Sequence, residues 1–127
     1  MGTIFTASFN KLHRLADYYQ LAISNGLPLW FKGGRYKALK PSYEFVKLLK
    51  AAQQGEMTLE DIELFSVNYY EEVLAKLDPH DVYNELMQQA QGKPVVLLSQ
   101  EDSDEFSIRH VVRAWLTQAG IDCQEIT

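Results

Sequence analysis

Pro94 to Ser99 reads PVVLLS, and the fold turns on how that run is read. An aliphatic stretch with no polar alternation is the mark of a strand covered on both faces, the central position of a parallel sheet. Directly after it, Ser99 to His110 reads SQEDSDEFSIRH and opens a helix from about Ser107 to Ala119. Val111, Val112, Trp115 and Leu116 face inward on that helix, Gly120 ends it, and DCQEI forms a last strand. A strand–helix–strand unit of this kind implies parallel pairing. Ligands in open parallel sheets bind beyond the carboxyl ends of the strands, so SQEDSDEFSIRH is where a site is expected.

Upstream, TIFTASF (Thr3 to Phe9) is β-branched and aromatic and predicts a first strand. KLHRLADYY reads as a short helix or a loop. QLAIS (Gln20 to Ser24) is a second strand, stopped by the Asn25-Gly26 turn. LPLWFKGGRYKALKP, with two Gly, two Pro and four basic residues, predicts a loop held by its contacts rather than a regular element. Three helices follow. The first has Pro41 at its first position, apolar Tyr43, Phe45, Val46, Leu48 and Leu49, and a stop at Gly55. In the second, Thr58 and Asp61 make a capping-box pattern, Ile62, Phe65, Tyr69, Val73 and Leu77 form a stripe, and the end falls at Lys76 or Leu77. Asp78 caps the third, whose Val82, Leu86 and Ala90 form one stripe before Gly92. The expected fold class is α/β: a single-domain sandwich over residues 1–127, with a small, mainly parallel four-stranded sheet flanked by helices.

A chain of 127 residues fits one domain, and 46% hydrophobic with 12% aromatic residues is a globular composition. No apolar run approaches the roughly 20 residues of a membrane-spanning helix, so no membrane partner is expected. The start, MGTIFTASF, lacks the basic opening and long apolar stretch of a secretory signal. Its MG-x-x-x-T pattern superficially matches a myristoylation start, but Ile4 and Phe5 suit a strand better. A single cysteine, Cys123, allows no internal disulfide and no zinc cluster. A cytoplasmic location is expected.

The net charge of -5 hides an asymmetry. Residues 1–50 carry eight Lys/Arg against two acids, a net +6, whereas residues 51–127 carry four against fifteen, a net -11. Half of the basic side chains fall between Lys32 and Lys50. A local basic surface on an acidic chain suits a small anionic ligand better than duplex nucleic acid, which the rest of the surface repels. The plainer reading, a solvated basic face, has equal standing.

The chain is similar to the bacterial and phage proteins classed as the "domain of unknown function 488" family, in particular its short phage-type branch. The similarity rests on T-I-F-T-A-S-F, on I-S-N-G ending the second strand, and on W-F-K-G-G-R-Y-K-A-L-K-P-S-Y-E-F. It continues through Y-x-x-E-V-L-x-K-L-D, V-x-x-E-L, G-K-P-V-V-L-L and F-S-I-R-H-V-V-R-A-W-L, nearly the full length. The resemblance implies a cysteine ending the third strand and a C-H-R-H run opening the last helix. Here those places hold Ser99 and Ser107-Ile108-Arg109-His110, while Glu101, Phe106, Arg109, His110 and Trp115 match. It thus implies a fold and a pocket rather than a reaction.

A cysteine at a helix N-terminus acquires a lowered pKa, but a serine there keeps its proton and needs a base. His110 lies three residues beyond Ser107 on roughly the same helical face, so a Ser107–His110 pair is one reading. No oxyanion motif such as G-x-S-x-G accompanies it, and helix capping by Ser107 is the favoured role. Arg109, in a first helical turn, reads as a phosphate or carboxylate clamp, as an ion pair to Glu101 or another acid of the same loop, or as both with Glu101 orienting it. Glu101, Asp102, Asp104 and Glu105 lack the spacing of a calcium loop and read as a solvated acidic loop; His13 and His80 read as surface residues.

Lys32, Arg35, Lys37 and Lys40 are interleaved with Trp30, Phe31 and Tyr36, a composition that suits a nucleotide or short single strand. Gly33-Gly34 admits close approach of an anion to the backbone, although no Walker G-K-S/T run is present. The rival reading, slightly ahead, has Trp30 and Tyr36 plugging the core edge while the charges reach water.

The leading expectation is a binding protein, without turnover or cofactor, for a phosphate-bearing, nucleotide-like molecule. Its pocket would lie between the Lys32–Lys40 and Ser99–His110 loops. Expected ligand-binding residues are Ser8, Trp30, Lys32, Arg35, Tyr36, Lys37, Lys40, Ser99, Glu101, Ser107, Arg109 and His110. Arg35 and Arg109 serve as anion clamps and Trp30 or Tyr36 as a stacking surface; no catalytic or metal-binding residue is assigned. The phage-type resemblance implies sequestration of a host signalling nucleotide, with a homo-oligomer as the useful form. Two alternatives stand: a nucleotide or nucleic-acid processing enzyme using Ser107, His110 and Glu101, and an interaction module whose acidic half docks a basic host protein.

Overall fold

The computed structural model describes residues 2–127. PVVLLS folds as expected and sits third of five strands. Strands β1 (Ile4–Ser8), β2 (Tyr19–Ala22), β3 (Gly34–Arg35), β4 (Val95–Ser99) and β5 (Cys123–Glu125) align in the order β3-β2-β4-β1-β5. Every pairing is parallel. The sheet therefore has five strands rather than four. The extra one, β3, lies inside the stretch expected to be a loop: two residues, one a glycine, give no alternation to read.

Register explains why β4 is aliphatic throughout. Leu98 lies between Ala7 and Ala22, and Leu97 between Thr6 and Leu21. Val95 and Leu97 join Ile4, Leu21 and Cys123 in a core beneath the helices, whereas Val96 and Leu98 join Ala7, Phe9, Leu15 and Ala22 on the opposite face. Helices α1 (Tyr43–Gln53), α2 (Leu59–Glu72), α3 (Pro79–Ala90) and α4 (Ile108–Gln118) cover the first face. The second is closed by a 3-10 helix, Phe9–Arg14, and by Leu27 and Phe31 of the long loop, with Phe9 and Phe31 edge to face.

The helix boundaries follow from their caps. Ser42, not Pro41, begins α1: its hydroxyl accepts the Phe45 amide, and Pro41 lies just before the cap. The Thr58–Asp61 capping box is closed in both directions. α2 stops at Glu72, and a separate 3-10 turn, Leu74–Lys76, completes the expected span. Asp78 caps α3, and Gln91 and Gly92 end it with positive φ. Of the expected α1 stripe, Phe45 and Leu49 are buried, but Tyr43 and Leu48 face solvent. Among the described residues no helix is long and apolar enough to cross a membrane.

Candidate functional site

On the helix-covered face the aliphatic layer gives way to polar side chains as the strands end. Thr6 and Ser8 of β1, Ser99 of β4 and Glu125 of β5 all lie there, beneath the N-terminus of α4. Ser107 is the α4 N-cap, accepting the Arg109 amide at 3.2 Å, which is the capping role the sequence favours. The cap directs Arg109 inward, where it is 0% exposed. Its guanidinium grips Glu125, Nε to Oε1 at 3.2 Å and Nη2 to Oε2 at 2.8 Å, while Nη1 donates to Ser99 Oγ at 2.7 Å. The ion-pair partner is thus Glu125 on the last strand, not Glu101 in the same loop.

Thr6 and Ser103 also donate to Glu125, the latter at 2.9 Å. Burial pushes the Glu125 carboxyl upward. The hydrogen bonds from Arg109, Thr6 and Ser103, with the guanidinium charge, outweigh burial and hold it below the ordinary glutamate value.

On the other side of Ser107 the polar groups open outward. Ser107 donates to Glu101 Oε1 at 2.9 Å, Ser99 reaches the same oxygen at 3.4 Å, and the two hydroxyls lie 3.0 Å apart. Glu101 forms the polar end of a cleft of about 200 Å³ between the Ser24–Gly26 turn after β2, one flank of α1, and the loop after β4. Phe45, Val46, Leu49 and Ile108 supply its apolar wall, and Lys50 and Gln53 its α1 rim. Asn25 lines it from the β2 side, with a buried Oδ1 that has no hydrogen-bond partner. An unsatisfied buried acceptor costs about 1–3 kcal/mol, so Asn25 gains if a donor arrives. Because β2 and β4 are neighbours, the cleft lies at the carboxyl edge of the sheet, where parallel sheets bind ligands.

The structure divides the expected site residues into groups. Ser99 and Glu101 line the cleft, Ser107 braces Glu101 from behind, and Ser8 ties the loop by donating to the Gln100 carbonyl at 3.3 Å. Arg35 reaches the rim, donating to the Asn25 carbonyl at 2.6 Å. Lys32, Lys37, Lys40 and Trp30 are exposed but do not line the cleft, which corrects the expectation that their loop forms one wall. Tyr36 is no stacking surface: it is 5% exposed within the core, and burial and the Glu85 carboxylate push its hydroxyl up to about 12. Arg109 faces Glu125 and Ser99 rather than the cleft. His110 turns its Nε2 to the Glu105 carbonyl, 3.0 Å away, so the Ser107–His110 pair does not form. Cys123 is buried, which pushes its thiol up to about 12 and leaves it unreactive.

Sequence reasoning missed Asn25, Lys50, Gln53 and Glu125. Lys50 and Gln53 look like the solvent face of an amphipathic helix, and only the placement of α1 beside the loop after β4 makes them a rim. Glu125 carried one readable signal, an acid at the carboxyl end of the last strand, DCQEI. No family model, curated protein or solved structure matches the chain.

Proposed function

We propose that this chain is a non-catalytic cytoplasmic binding protein for a small phosphate-bearing, nucleotide-like molecule, seated in the cleft between Asn25, Phe45, Lys50 and Glu101. The observation that carries the reading is the division of that cleft into three chemistries. Glu101 and Asn25 offer acceptors for hydroxyl or amino groups, Val46, backed by Phe45, Leu49 and Ile108, offers an apolar wall for a ring, and Lys50 with Arg35 offers positive charge for a phosphate. At about 200 Å³ the cleft lies below the roughly 300–1,000 Å³ of drug-sized sites. It suits one ring system with its phosphate at the rim rather than a polymer.

Binding without turnover is supported by the state of Ser107. Its hydroxyl is held between Glu101 and the Arg109 amide, it is buried, and its neighbouring imidazole is turned to Glu105. In the phage-type setting this is sequestration of a host signalling nucleotide by occupancy.

The test is to expose the purified protein to a nucleotide extract, wash it, denature it and identify the released molecule by mass spectrometry. Release of an unchanged phosphate-bearing molecule, reduced in a Lys50→Ala variant, is the expected result. Release of an altered molecule points to the enzyme instead, and an empty protein overturns the reading.

A further inference from the structure

We infer that the outer face of α2 docks the Leu29–Lys32 tip of the loop after β2 from a second copy of this chain, head to tail. α2 buries Tyr69 and packs Phe65 against the core, yet its opposite side carries Leu64 and Val67 in the open, with Leu64 58% exposed. Glu60, Leu64, Val67 and Glu71 fall at helical spacings of four, three and four, so they make one stripe: two aliphatics framed by two carboxylates. Leu59, Glu63 and Tyr70 flank it and are also exposed. The whole helix has five acids and no basic residue. A stripe of this length, apolar at its centre and acidic around it, calls for a partner that is apolar at its centre and basic around it.

The loop between β2 and α1 has that composition. Leu29 is 104% exposed and Trp30 59%, both standing off the surface while their neighbour Phe31 anchors the loop against Phe9. Lys32 is exposed beside them, and no acid falls between Leu29 and Lys40. Tryptophan beside cations is the residue type that concentrates binding energy at interface centres. Leu27 and Phe31 fix the Leu29–Lys32 tip to the face of the sheet away from the helices, whereas Tyr36 and Leu39 return to the helix-side core, where Tyr69 of α2 donates to the Leu39 carbonyl; the tip, not the whole loop, therefore lies across the sheet from α2. One copy can therefore engage two neighbours at once. A heterologous contact of this kind builds rings or open chains rather than a two-fold dimer. The cleft residues Phe45, Lys50 and Glu101, and Arg35 at its rim, lie outside both the Leu29–Lys32 tip and the α2 stripe, so this inference stands apart from the ligand proposal.

The test is sedimentation velocity of the purified chain over a range of concentrations, near 0.01 M and near 1 M ionic strength, where the screening length falls from about 30 Å to about 3 Å. Association that grows with concentration past the dimer, and weakens at high salt, is expected. Trp30→Ser and Leu64→Asp change exposed side chains, so each variant keeps its fold, which circular dichroism checks. Each should weaken association on the order of 30-fold, the effect of a hot-spot truncation. Mixed in equal amounts, the two variants should form a one-to-one dimer, because one retains an intact α2 face and the other an intact loop. A wild-type chain that stays monomeric at low salt overturns the inference, and so does a mixture no more associated than its components.

Discussion

Arg109 and Lys50 both bring positive charge to the carboxyl edge of the sheet, but one is enclosed and the other open. The N-cap at Ser107 turns Arg109 under α4 onto Glu125, and two further hydroxyls, from Thr6 and Ser103, complete that carboxylate's shell. Lys50 projects from α1 over the cleft, and none of its atoms forms an ion pair. Ser99 and Ser107 sit between the two regions and serve both, accepting from Arg109 on one side and donating to Glu101 on the other. A guanidinium fully withdrawn from water belongs to the architecture; a lysine on the rim of an open cleft is free to meet a ligand, the role proposed for it. Residue type and loop position alone do not separate these roles. The partner on another strand does.

The largest effect should come from breaking the enclosed half. Glu125→Ala strands a fully buried guanidinium and should cost about 3–5 kcal/mol in urea or thermal unfolding. Replacing both members by methionine, Arg109→Met with Glu125→Met, should recover most of that loss, since a buried ion pair exchanged for apolar volume is often neutral. If the single substitution is as mild as a surface change, the pair does not have the structural role assigned to it.

Next is the open half. Lys50→Ala or Arg35→Ala should weaken retention of the phosphate-bearing molecule about 10- to 100-fold, the range of one charge-assisted hydrogen bond, with unfolding unchanged. Equal losses of stability in these variants would erase the contrast between the two cations.

Acid titration sharpens the comparison further. Glu125 is held below the ordinary glutamate value, so its contribution is fully present above that value and disappears as pH falls through its own lower one. Wild-type stability should therefore drop as pH is lowered past the ordinary carboxylate range, near 4.3. A Glu125→Gln variant, less stable at neutral pH, should lose less over the same window. Parallel curves for the two proteins would show that Glu125 is not the group responsible.

The smallest effect is expected from His110→Ala. Among the described residues the imidazole's hydrogen bond goes to the Glu105 carbonyl, and it lies outside the cleft, so stability should stay within about 0.5 kcal/mol and retention should not change. An abolished turnover activity in that variant would favour the enzyme reading instead.

Much of the architecture is legible in the chain because its signals are local. PVVLLS announces a two-sided strand, Thr58 with Asp61 announces a helix start, and Asp78-Pro79 another. β3 is invisible because Gly34–Arg35 has no pattern of its own and pairs only because β2 presents an edge. The site is half legible. Ser99, Glu101 and Ser107 follow from the rule that loops after central strands line the crevice. Tyr36 misleads because an aromatic amid cations has the same composition whether it stacks on a ligand or plugs a core. Arg109 misleads because its partner lies 16 residues away on β5, a contact created by the strand order and not by sequence proximity.

The central claim is that the open cleft, rather than the basic loop beside it, receives the ligand. A crystal structure of the protein loaded from a nucleotide extract tests this directly. The account predicts density for a ring against the apolar wall at Val46, with polar groups on Glu101 and Asn25 and a phosphate at Lys50. Density against Trp30 and Lys32 with the cleft empty would contradict it.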